Sequence, residues 1–160
     1  MSSKVIVALR VAATPERAFE VFTQDVALWW RPHPMFQFTP RAGGVLSFEP
    51  GEGGRFVETL PNGKVFVIGA ITTWSPPCRL AFGWRQATFA PDQSTQVDVN
   101  FEAVGDETRV TVTHTGWDAI PEAHVARHGF PAAVFARRHA QWWRGLLAAY
   151  NDALSSSEPH

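Results

Sequence analysis

Histidines placed where apolar side chains are expected carry the most chemical information in this sequence. His139 lies mid-face on a C-terminal amphipathic segment, between Phe135 and Trp143. A neutral imidazole there can anchor a ligand within an apolar pocket, hydrogen-bond a carbonyl or water as a core residue, or act as a general base. No acid or nucleophile adjoins it in sequence, so His139 is the single weak catalytic candidate. His114 shares one side of a strand with Val110 and Val112 and stands at the strand's end, where side chains often meet solvent. Glu58 shares a side with Phe56 and Leu60 and calls for a neighbouring arginine, because a buried charge needs a partner. Arg85 and Trp84 end their own strand, near a candidate cavity mouth.

Three further candidates are weaker. His124 and His128 are four apart and would share one helical face, a spacing that can hold a metal, but Val125-Ala126-Arg127 supplies no glutamate base between them. A turn in a lid segment over 117–130 explains them better, and no metal or cofactor is expected. Cys78 follows two prolines and precedes Arg79, a cation able to lower a thiol pKa, yet no histidine partner is evident. Trp29-Trp30-Arg31-Pro32-His33-Pro34 reads as a plug for one end of a curled sheet, with an exposed partner site as the alternative.

The elements that position these residues follow from periodicity. Lys4–Val11 alternates as a strand with Val5, Val7, Leu9 and Val11 on one face. Thr14 and Pro15 open a helix that carries Ala18, Phe19, Val21 and Phe22 to about Gln24, and Asp25 caps a second short one through Trp29. Strands are expected over 45–49, 55–60, 64–74, 79–85, 95–103 and 108–115, separated by Gly-, Pro- and Asn-Gly-containing turns. Short connections imply an antiparallel meander. Pro131 starts a helix to about Ser155. At about 100° per residue its apolar face holds Phe135, His139, Trp142, Trp143, Leu146, Leu147, Tyr150, Ala153 and Leu154. Arg137, Arg138, Gln141 and Arg144 fall opposite.

The 160 residues suit one domain, with a core over about 4–155. A net charge of −1 gives no field for nucleic acid or anionic lipid, and no apolar run approaches a membrane span. One cysteine and no leader pattern suggest a cytoplasmic protein. Seven Trp and twelve Phe against one Tyr imply a very aromatic core or an aromatic-walled cavity.

Several pieces resemble a known family. They are Ala13-Thr14-Pro15-Glu16-Arg17-Ala18-Phe19, Trp29-Trp30, the Arg41-Ala42-Gly43-Gly44 turn, and Asn62-Gly63 followed by Gly69. Next come Pro76-Pro77-Cys78-Arg79-Leu80 with Trp84, the run Glu107–His114, and Trp143-Leu147-Tyr150. In this order they are similar to the activator of Hsp90 ATPase homologue-like branch of the START-like, or SRPBCC, superfamily. Trp142-Trp143 stands where many members carry Gly-Trp.

The resemblance implies an α+β helix-grip (Bet v 1-like) fold: a curved antiparallel sheet of about seven strands, two short helices and a long C-terminal helix. It also implies a small hydrophobic or aromatic ligand held between sheet and helix. The expected wall is Phe56, Glu58, Leu80, Phe82, Trp84, Val99, Phe101, Val112 and His114 from the sheet. Phe135, His139, Trp142, Trp143, Leu146 and Tyr150 complete it from the helix. A cyclase, dehydratase or hydrolase using His139 is the enzyme alternative. An Hsp90 partner role is a further one, against which stands the lack of room for the eukaryotic cochaperone's N-terminal domain. An exposed edge strand makes a homodimer available.

Overall fold

The computed structural model describes residues 4–30, 38, 44–90, 92–117, 120, 124 and 130–156. Strand β1 (Val5–Val11) buries Val5, Val7 and Val11 and half-buries Leu9, as alternation requires. Helix α1 (Pro15–Gln24) starts where Thr14 takes an extended conformation and its hydroxyl accepts from the Arg17 amide at 3.2 Å. Pro15 fills a first-turn position whose amide would be orphaned anyway. Helix α2 (Val26–Trp29) follows after Asp25, whose side chain makes no capping bond. Trp29 donates its indole N–H back to the Val21 carbonyl, 3.2 Å away, which ties α2 under α1.

The chain then runs through β2 (Val45–Phe48), β3 (Arg55–Thr59), β4 (Val65–Ser75), β5 (Arg79–Trp84), β6 (Thr95–Val104) and β7 (Glu107–Thr115). Helix α3 (Ala132–Ser156) closes it. All pairings are antiparallel, in the order β1-β7-β6-β5-β4-β3-β2, so β1 and β2 are the sheet edges. This is the helix-grip arrangement, and its strand bounds differ from the periodicity reading by single residues at the ends. Hairpin chemistry holds locally: Gly63 has a φ of 86°, and the Asn62 side chain accepts from the Lys64 amide at 3.0 Å. At the Pro76-Pro77 corner the Cys78 amide bonds to the Ser75 carbonyl at 2.7 Å, and the exposed Cys78 leads into β5.

One row of side chains along each strand faces α3. Phe82 pairs with Val97, Val97 with His114, and His114 with Val5. One step on, Leu80, Val99, Val112 and Val7 form the next row. The buried face of α3 carries Phe135, His139, Trp142, Trp143, Leu146, Leu147, Tyr150 and Leu154, while Arg137, Arg138, Gln141 and Arg144 are exposed. The helix thus lays its apolar face across the concave side of the sheet. Toward its end, Tyr150 donates to the Ala18 carbonyl at 2.6 Å and stacks edge-on against Phe22, joining α3 to α1.

Trp29 and Trp30 are both buried, as a plug requires, so the alternative of an exposed partner site on this pair is corrected. Their rings are consumed by the core: Trp30 meets Phe56, Trp84, Trp142 and Trp143. The rest of that motif, Arg31 to Pro34, lies outside the described residues.

β4 carries an extra residue opposite β3, where Phe56 pairs with Gly69 but Val57 with Val67, and its register shifts again against β5 between Ile71 and Thr73. Gly69 lies directly against the Gly83 backbone, and a Cβ on Gly69 would collide with the Gly83 carbonyl. Gly69→Ala is therefore expected to cost about 1–3 kcal/mol, measured by urea denaturation. Gly83→Ala, whose Cβ would meet its nearest atoms at 3.7 Å, should stay within about 0.5 kcal/mol of the parent.

Candidate functional site

The two histidines singled out by their faces meet. His114 from β7 and His139 from α3 pack edge to face with ring centroids 4.6 Å apart. Both are completely buried. The expectation that His114 meets solvent at its strand end is corrected: α3 and the turn after β7 cover it. Trp117 forms that turn and is 1% exposed, while most of the 117–130 segment expected as a lid lies outside the described residues.

Two indoles aim their N–H groups at the His114 ring. Trp143 Nε1 lies 3.2 Å from Nδ1, and Trp117 Nε1 lies 3.2 Å from Nε2. The Thr95 hydroxyl sits 2.7 Å from the same Nε2 and 3.2 Å from the Trp84 carbonyl. Indole can only donate. A neutral imidazole keeps one bare nitrogen that can accept from an indole, whereas an imidazolium keeps none, so the surroundings favour the neutral ring. Burial holds His114 well below the ordinary histidine pKa, and His139 pushes it the same way. Burial alone pushes His139 down to about 3. Around His139 lie Trp117, Phe135 and, nearly parallel at 5.8 Å, Trp142. A base so weak takes little proton at neutral pH. His139 is a neutral polar group buried among aromatic rings.

Trp84 completes this end of the interior. Its ring lies 4.8 Å from His114, 5.4 Å from Trp142 and 4.7 Å from Phe38. Its Nε1 is buried with no hydrogen-bond partner among the described residues. Next to it, Phe56 stacks on Phe48 at 4.1 Å and meets Phe82 edge-on, while Leu80, Val99, Val112 and Leu146 are buried between the ends. The far end is wholly aromatic, with Phe101 and Tyr150 against Phe22. Burial raises the Tyr150 hydroxyl pKa far above its ordinary value, so it stays a donor to Ala18.

Glu58 departs from this group. It is only half-buried, level with Leu46 and Phe66, and its side chain packs over Gly44. Arg85 is half-buried at the margin, reaching the Phe89 carbonyl at 3.3 Å with its guanidinium 6.0 Å from the Phe66 ring. His124 lies in a bend, not on a helix, and its Nε2 donates to the Thr88 carbonyl at 3.0 Å; His128 lies outside the described residues. No group of three or more metal-ligating side chains occurs among the described residues. The sequence reading missed Thr95, Trp30 and Phe38 as site residues. Thr95 was accessible, since it is in phase with the inward Val97, Val99 and Phe101.

Fold and site together define a helix-grip domain whose concave side is closed by an aromatic interior with a polar histidine end. Residues 12–137 match the family described as Activator of Hsp90 ATPase homolog 1-like protein, and the chain belongs to that family. Comparison with curated proteins finds no match. Among solved structures, a Mesorhizobium loti protein aligns at a TM-score of 0.68 and 18% identity, over 98% of this chain and 99% of its own. An HSP90 activator from Plasmodium falciparum aligns at 0.65 and 19% identity, over 95% and 96% of the two chains. The Aha1 dimer from Colwellia psychrerythraea aligns at 0.64 and 18%, over 94% and 95%. At these identities the likeness is one of fold. No described helix is long and apolar enough to cross a membrane.

The neutral histidines link stability to pH. Unfolded, each titrates near pH 6.5; folded, both titrate lower. Between those values the unfolded chain binds more protons, so stability is fully present above about pH 6.5 and falls as pH falls. For His139 the loss from pH 7 to pH 5 is expected to be about 2 kcal/mol, with His114 adding in the same direction. Urea midpoints at the two pH values check it, and equal midpoints would contradict it.

Proposed function

We propose that this chain is a binding module that takes a small, uncharged aromatic or apolar molecule carrying a hydrogen-bond acceptor into the interior between β5–β7 and α3. One observation carries the reading: Trp84 Nε1 is a fully buried donor without a partner among the described residues. An unsatisfied buried donor costs about 1–3 kcal/mol, which a ligand carbonyl or ether oxygen would recover. The surrounding indole and phenyl rings offer faces and edges for an aromatic guest. The two imidazoles add polarity without charge. Phe38, 4.7 Å from Trp84, is the side chain that a guest reaching Nε1 would displace first. The reading places the protein in the cytoplasm, where the exposed free thiol of Cys78 persists.

A second reading, a protein-partner module, has its own support. Val45, Val65 and Val67 are exposed and neighbours on the outer face, since Val45 pairs with Thr59 and Thr59 with Val65. The fold likeness to the Plasmodium HSP90 activator and the Colwellia dimer makes Hsp90 and a second copy the partners to assay. Unchanged Hsp90 ATPase activity and a monomeric mass would remove this reading.

Native mass spectrometry of freshly purified protein, followed by tryptophan-fluorescence titration with aromatic ketones, esters and hydrocarbons, tests the first. A bound small molecule and a preference for acceptor-bearing compounds are expected. Trp84→Phe keeps a ring but loses the donor, and should weaken those compounds about tenfold, the worth of one hydrogen bond, while leaving hydrocarbons little changed. No bound mass and no fluorescence response across the panel would sink the proposal.

A further inference from the structure

The side of the sheet turned away from α3 carries a groove of about 300 Å³, at the lower end of the size range of small-molecule sites. Its floor is Ala81, which lies between the inward Leu80 and Phe82. The walls follow from strand register. Ile71 pairs with Phe82 and Trp74 with Leu80, so two residues of β4, Thr72 and Thr73, stand opposite the single Ala81. Ile71 and Trp74 pack toward the interior, which leaves both threonines on the outer rim. Across the floor, Asp98 pairs with Ala81 and with Thr113, while Gln96 pairs with Gly83 and with Thr115. The Gln96 amide reaches over Gly83, where a Cβ would lie 3.7 Å from Nε2.

This lining is polar without net charge. Its one cation and one anion, Arg79 and Asp98, form a two-pronged ion pair, with Arg79 Nε 3.0 Å from Asp98 Oδ1. Asn100 donates to the same Oδ1 at 3.2 Å. Oδ1 thus serves two donors and Oδ2 one, which leaves Oδ2 an acceptor position on a carboxylate already fixed in orientation. The inward Thr23, Thr95 and Thr108 each spend their hydroxyl on a backbone carbonyl. No such bond occupies Thr72, Thr73, Thr113 or Thr115 among the described residues. Each of those hydroxyls can donate and accept, as can the Gln96 amide.

We propose that this groove is a second binding site, separate from the interior, for a small neutral polyhydroxylated molecule of the saccharide class. The match is chemical. A sugar hydroxyl donates to Asp98 Oδ2 or to a threonine oxygen, and its own oxygen accepts from Gln96 or a neighbouring threonine. The threonine methyls and Ala81 meet the C–H surfaces between the hydroxyls. Ionic guests gain little, because Arg79 and Asp98 already neutralise each other. Aromatic guests find no ring to stack on, since no aromatic side chain lines the groove among the described residues. The groove and Trp84 lie on opposite faces of β5, so this site stands whether or not the interior takes a ligand.

Amide NMR spectra of the isotope-labelled intact chain, titrated with glucose, galactose and myo-inositol, test the site. At least one of the three should give saturable shifts confined to residues 72–73, 81–83, 96–98 and 113–115. Inorganic phosphate and acetate should give none. Thr113→Val keeps the shape of the wall but removes one hydroxyl, and should weaken the affinity about tenfold, the worth of one hydrogen bond. Ala81→Leu fills the floor and should abolish the shifts, with thermal melting to check that the variant is folded. If it does not fold, Thr113→Val decides alone. No saturable shift from any of the three compounds overturns the proposal, as does a stronger response to phosphate or acetate. Affinity unchanged in either folded variant overturns it too.

Discussion

The contact between two buried imidazoles, one from the sheet and one from the long helix, is the constraint around which the interior is arranged. His114 comes from β7 and His139 from α3, and the 4.6 Å between them is the point where the concave sheet face meets the helix. A polar group so deeply buried persists only if its hydrogen bonds are made. Trp143, Trp117 and Thr95, from three separate elements, stand within hydrogen-bond distance of the His114 nitrogens, one of which accepts while the other carries the proton. The curvature that brings β5, β6 and β7 around α3, the capped start of α1 and the plug of Trp29 and Trp30 all serve to close the space in which that ring sits.

The abundance of tryptophan has a common physical purpose with the histidines. Indole combines a large apolar body with a single donor, so it can fill a wide gap between sheet and helix while still addressing a buried acceptor. Trp29 spends that donor on the Val21 carbonyl, and Trp143 and Trp117 aim theirs at the two nitrogens of His114. Trp84 does neither, among the described residues.

Much of the architecture was legible because period-two alternation and turn chemistry are local. The strands after the Asn62-Gly63 turn and the helix opened by Thr14-Pro15 needed no tertiary information. The face of α3, read at helical spacing, named His139 and Trp143 as inward residues, and both are. Errors arose where covering elements decide exposure. His114 ends a strand and reads as solvent-adjacent until α3 and Trp117 are laid over it. Trp117 itself, in a stretch without periodicity, carried no sign of being core. Glu58 shares the inward parity of Phe56, yet it is half-buried beside the sheet edge formed by β2, and parity says nothing of that distance from the centre.

By itself the sequence determined the order of elements, the family and which side of each strand and helix turns inward, because backbone periodicity and turn residues act over a few positions. Only the tertiary structure decided that His114 and His139 are neighbours, that the indoles of Trp84, Trp117, Trp142 and Trp143 surround them, and that both are held neutral. Those outcomes depend on residues from distant parts of the chain excluding water together, and desolvation is a property of the closed space rather than of any segment that lines it.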